Sequence, residues 1–216
     1  MAVAFVQKGD SGVAPGIASG VAGNILPTNA TVGNCVLVAI VPNTTEAANS
    51  YSVTSPMGTF VKLGSSANSG YDIEYWGLLG VPTASRAITV TTTAGRTWYG
   101  QGTEFSNVGS LLAAVIKTGT STAPSSSAVT VPAGGAIIAG ISTAGTISAA
   151  PLSPWVDYNA GAFIFADGAD TAYQVPASGG SLTATWTTGS AAWDVIAIVL
   201  VQAVVPFTQG RMFLGF

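Results

Sequence analysis

Cys35-Val36-Leu37-Val38-Ala39-Ile40-Val41 is an unbroken apolar run, and four of its residues are β-branched. Such side chains favour the pleated strand, and a strand turns successive side chains to opposite faces. A run with no polar residue therefore has no wet face. It predicts a central strand covered on both sides, or one whose outer face meets a partner. Val195-Ile196-Ala197-Ile198-Val199-Leu200-Val201 repeats the pattern near the other end of the chain. Between them, Ile88-Thr89-Val90-Thr91 and Leu182-Thr183-Ala184-Thr185-Trp186-Thr187 alternate, as strands do when one face is packed and the other is wet.

Working outward, nearly every apolar stretch is short, rich in Val, Ile, Thr, Tyr and Trp, and bounded by Gly, Pro, Asn or Ser. Strands are expected at 2–7, 35–41, 51–54, 60–63, 72–79, 87–93, 98–105, 111–117, 128–131, 136–142, 155–158, 171–175, 182–187 and 193–203. Gly and Pro interrupt each run before three helical turns accumulate. Ser11 to Gly33 reads as a long surface-wrapping loop, Gly119 to Ser127 as a loop of small polar residues, and Gly134-Gly135 and Gly179-Gly180 as hairpin turns. The expected fold is all-β, a two-sheet antiparallel β-sandwich of jelly-roll-like type. Residues 1–206 are read as a single domain and 207–216 as a C-terminal extended arm.

Charge narrows the function. Asp, Glu, Lys and Arg make up 7% of the 216 residues, against about a quarter in ordinary soluble domains. With a net charge of −3, little repulsion keeps copies apart, which suits a protein packed into an assembly. The six basic residues are scattered singly rather than gathered into the stripe that phosphate binding needs, so nucleic acid is not an expected partner. The segment Met1 to Lys8 lacks the basic and long apolar regions of a secretory signal, and Val195 to Val201 is far short of the ~20 residues that span a bilayer. No membrane is expected.

The absence of His and the single Cys remove the usual zinc and transition-metal ligand sets. Cys35 reads as a small buried hydrophobe. Asp157, Asp167 and Asp170, near Asn159 and Gly168, match no calcium loop and read as turn-stabilising residues, so no metal and no cofactor are expected. Asp72 and Glu74, with Glu104, are the only acids that invite a glycosidase reading. Two apart on a strand, Asp72 and Glu74 read instead as a solvated face opposite buried Ile73 and Tyr75. No base stands ready for a serine nucleophile, so the chain is not expected to be an enzyme.

The pairs Tyr75-Trp76 and Trp98-Tyr99 place adjacent rings on opposite strand faces, so one ring of each should leave its core. Exposed rings stack on sugars or fill partner pockets, which makes Trp76 and Trp98 candidate glycan-binding residues. Trp155, Trp186 and Trp193 read as core. The tail carries a stronger signal. Phe207, Arg211, Met212, Phe213, Leu214 and Phe216 follow Pro206 in an apolar peptide suited to a partner's groove or sheet edge, and are the candidate partner-binding residues.

The opening Met1-Ala2-Val3-Ala4-Phe5-Val6, the Gly33-Asn34 turn into an apolar strand, Gly58-Thr59-Phe60-Val61-Lys62-Leu63, Tyr75-Trp76 and Glu104-Phe105-Ser106-Asn107-Val108 resemble β-sandwich virion proteins of tailed bacteriophages. These are head-decoration or minor tail proteins. The resemblance implies a non-enzymatic virion protein made in the bacterial host cytoplasm, in contact with major capsid or tail proteins and with further copies of itself. Host surface glycans are a further partner that it implies.

Overall fold

A computed structural model describes residues 1–10, 25–42, 51–68, 71–92, 98–158 and 168–204. The first half of the chain supplies β1 (Ala4–Asp10), β2 (Cys35–Pro42), β3 (Tyr51–Ser55), β4 (Gly58–Thr59), β5 (Val61–Asn68), β6 (Tyr71–Leu78), β7 (Thr89–Thr92) and β8 (Trp98–Ser106). The second supplies β9 (Val108–Leu111), β10 (Val115–Ser121), β11 (Val129–Val131), β12 (Ala136–Thr143), β13 (Ile147–Ala149) and β14 (Val156–Asp157). It ends with β15 (Ala169–Gln174), β16 (Gly180–Leu182), β17 (Thr187–Thr188) and β18 (Ala191–Gln202). The described residues contain no helix, and the antiparallel sheets pack together as a β-sandwich.

Two large sheets stack face to face, one in the order β1-β8-β2-β6-β5 and the other β10-β18-β12-β15-β14, with β9 also beside β18. Leu37, Ala39, Ile73 and Tyr75 of the first meet Ile138, Ile196 and Ile198 of the second in the middle core. At one side of this core Phe5 stacks on Tyr173, with ring centroids 4.7 Å apart, and Phe105 and Tyr158 meet Tyr173 edge-on.

The outer faces are covered too. Val36, Val38 and Ile40 of β2 pack with Ile25, Leu26, Val53 and Ile88 beneath the small sheet β4-β3-β7. On the far side, Ile141, Val195 and Val199 pack with Val131 and Ile147 of the ribbons β11-β16 and β13-β17 and with Trp186 just before β17. The apolar runs are thus central strands buried on both faces, the first of the two readings that the sequence allowed. Each fully buried Val, Leu or Ile contributes about 1.5–3 kcal/mol.

The chain builds both large sheets by the same route. Each has its first strand at an edge, its last strand next to it, a doubly buried strand in the middle and then two strands that are consecutive among the described residues. In each half the strand after the middle one pairs with the strand before the last, β3 with β7 and β13 with β17. A glycine at positive φ leads into each middle strand, Gly33 at 88° and Gly134 at 73°. Both sit in a turn closed by a backbone bond, Asn34 N–H to Thr31 at 3.1 Å and Gly135 N–H to Pro132 at 3.0 Å. At the same distance along the strand from its glycine, Pro42 faces Trp98 and Thr143 faces Trp193.

Several expected strands are redrawn. The segment 111–117 breaks into β9 and β10, and β10 takes in Gly119 to Ser121, which were expected in a loop. The segment 182–187 retains strand only at its ends, in β16 and β17, and 155–158 shrinks to β14. β5 runs past Leu63 to Asn68, and β13 was not expected at all. Neither glycine pair makes a hairpin: Gly134-Gly135 turns from β11 into β12 of a different sheet, and Gly179 leads into Gly180, the first residue of β16, which pairs with Val131 of β11. In the expected loop 11–33, residues 25–33 do not simply wrap the surface, since Ile25 and Leu26 are buried in the outer core.

Candidate functional site

The acids do not form a solvated face. Asp72 and Glu74 are each 3% exposed, because β6 lies inside a sheet that is covered on both sides. Glu74 accepts from Lys62 Nζ at 2.7 Å and from Trp76 Nε1 at 3.0 Å. Burial pushes its carboxyl above the ordinary value, against the pull of Lys62. Asp194 is buried on β18 and accepts from Ser66 Oγ at 2.8 Å and from the Asn68 amide at 3.0 Å. Burial, with the negative charge of Asp72 adding to it, raises Asp194 to about 6.

Glu104 is also buried, and clamps the turn before β2 by accepting from the Thr31 amide at 2.8 Å, Asn34 Nδ2 at 2.6 Å and Gln7 Nε2. It stands opposite Val36, while Glu74 stands opposite Ile40 on the other side of β2. Two strand spacings of ~4.8 Å and four residues at ~3.4 Å put their Cα atoms roughly 17 Å apart. Paired glycosidase carboxyls lie about 5–9.5 Å apart. Glu74, Glu104 and Asp194 are each held by hydrogen bonds within the fold.

Of the two aromatic pairs, Trp98-Tyr99 leaves no ring outside the core, whereas Trp76 is partly exposed beside buried Tyr75. Trp98 is 2% exposed in the outer core and Tyr99 is buried in the middle one, because both faces of β8 are covered. Trp76 is half-buried against the outer core, donates to Glu74, and carries the Lys62 ammonium 5.3 Å from its ring centroid. Trp98 has no open ring for sugar stacking, and the face of the Trp76 ring is occupied by the Lys62 ammonium. Trp186 and Trp193 are core, as expected.

Asp170 lies within β15 rather than in a turn, and accepts from Trp186 Nε1 at 2.6 Å. Among the described residues no group of three or more His, Cys, Asp or Glu could hold a metal ion. Asp167 and Asn159 lie outside the described residues, as does the arm with Phe207, Arg211, Met212, Phe213, Leu214 and Phe216. Cys35 is buried and free, its thiol pushed up to about 12 by burial. Among the described residues no helix is long and apolar enough to cross a membrane.

The sequence reading missed an open groove of about 420 Å³ on the outer face of the second half. One wall is the segment from Ala149 to Trp155, whose turn is closed by the Trp155 amide donating to the Leu152 carbonyl at 3.2 Å. The other wall carries Thr183, Thr185 and Thr187, which are exposed while Ala184 and Trp186 between them are buried. The alternation of that segment was legible; its position across from Trp155 was not. Trp155 is only partly buried, against the outer core.

No family model, no curated protein and no solved structure matches this chain.

Proposed function

We propose that the chain is a non-enzymatic structural protein of a tailed-bacteriophage virion, decorating the capsid or forming part of the tail. It is made in the host cytoplasm and joined to capsid or tail proteins and to further copies of itself through apolar and strand-edge contacts. The observation that carries the reading is the open sheet edges: β1 and β5 end one large sheet and β10 and β14 the other, and β1 and β10 have no strand on their far side among the described residues. Val6 on β1, and Ile116 on β10 with Leu112 just before it, are exposed there. Soluble monomers guard such edges with charge. Here the edge cations fold back onto their own chain, Lys8 onto Tyr158 and Lys117 onto Trp193. The resemblance to virion proteins and the low charge content agree with this, and the apolar arm from Phe207 to Phe216 supplies a further attachment.

The test is to delete residues 207–216 and quantify the chain in purified particles by mass spectrometry. Loss of incorporation by a protein that still folds is the expected result. Undiminished incorporation would remove the arm from the attachment, and absence of the intact chain from particles would overturn the whole reading.

A further inference from the structure

We infer that the groove between Trp155 and the threonine row binds a neutral saccharide. None of its lining residues is ionisable, so nothing in it would select a charged ligand or compensate one on desolvation. What it offers is amphipathic. Trp155, Leu152 and Pro151 bring apolar surface to its lining, and Thr183, Thr185 and Thr187 bring side chains whose hydroxyls can both donate and accept. A pyranose has the matching character, with an apolar C–H face that suits an indole and equatorial hydroxyls that suit threonine. Its volume falls within the roughly 300–1,000 Å³ of small-molecule sites. Trp155 is held by packing on the outer core, so the platform is formed before the ligand arrives. Leu152 is 84% exposed on the rim, an apolar side chain left in water that a bound ligand would cover.

The experiment titrates the intact chain with maltotriose, cellotriose and N,N′,N″-triacetylchitotriose, followed by NMR shifts and calorimetry, with a proline decapeptide as the competing apolar ligand. At least one sugar should bind. Trp155→Ala should weaken it about tenfold, which corresponds to ~1.4 kcal/mol. Thr185→Val, at an exposed position, should weaken it several-fold while thermal unfolding stays unchanged, which guards against a Trp155 variant that fails to fold. Binding of none of the sugars overturns the inference, as does binding of the peptide alone or sugar binding that both variants leave intact. The virion reading does not depend on this site, and particle incorporation of Thr185→Val should be normal.

Discussion

Ser66 of β5 donates a 2.8 Å hydrogen bond to Asp194 of β18, joining the two large sheets through a carboxyl that is fully buried. Asp194 titrates at about 6 in the fold, above its ordinary 3.8, because burial disfavours its charge. The folded state therefore holds more protons than the unfolded one between those values, and stability falls as pH rises through that window. Glu74, also raised, acts in the same direction. Urea unfolding across this range should give a midpoint that declines with rising pH, and Asp194→Asn should flatten the decline. A midpoint that rises with pH would contradict the burial of these acids.

The middle core leaves no room at Gly140. A Cβ there would lie 2.6 Å from the Tyr75 hydroxyl and 2.8 Å from Ile73 Cδ1, both on the opposing sheet. Gly140→Ala should cost about 1–3 kcal/mol by overpacking. Gly180, with nothing within 4 Å, is the control, and its alanine variant should stay within about 0.5 kcal/mol of wild type. Equal unfolding midpoints for the two variants would contradict the face-to-face packing.

Gly33 meets no atom within 4 Å, so an added Cβ is opposed only by its φ of 88°. Gly33→Ala should cost about 1–2 kcal/mol, the penalty of left-handed backbone for an L-residue, and Gly33→Asn should cost less. Chemical denaturation of both variants checks the order.

Trp186 and Trp76 each donate to a buried acid, but in different settings. Trp186→Phe leaves Asp170 deep in the outer core one donor short, at a cost of about 1.5–3 kcal/mol. In Trp76→Phe, Glu74 keeps Lys62 at 2.7 Å, so the loss should be smaller. Unfolding free energies in the opposite order would contradict these assignments.

The all-β class was legible because β-branched runs bounded by Gly and Pro leave no helical alternative, and the lack of any polar residue between Cys35 and Val41 narrowed β2 to a doubly covered strand or one whose outer face meets a partner. The layers that cover β2 and β18 were not, because short pieces such as Ile147–Ala149 acquire strand pairing only from their partners. That also misdirected the reading of Asp72, Glu74 and Trp98: alternation says which residues share a face, but not whether a second sheet lies over it. The groove was half legible for the same reason. Thr183, Thr185 and Thr187 alternate with buried neighbours in the sequence itself, whereas Trp155 reaches them only through the fold. The repeated route through the two sheets hides behind loops of unequal length, and shows in sequence only as glycine turns before Cys35 and Ala136 and as Trp98 and Trp193.

Imaging of the intact phage particle by electron cryomicroscopy tests the structural role most directly. The expected result is density for this layered β body on the capsid or tail in several copies, with the β1 or β10 edge against a neighbouring subunit. Particles that assemble and infect with no density and no mass-spectrometric trace of the chain would contradict it.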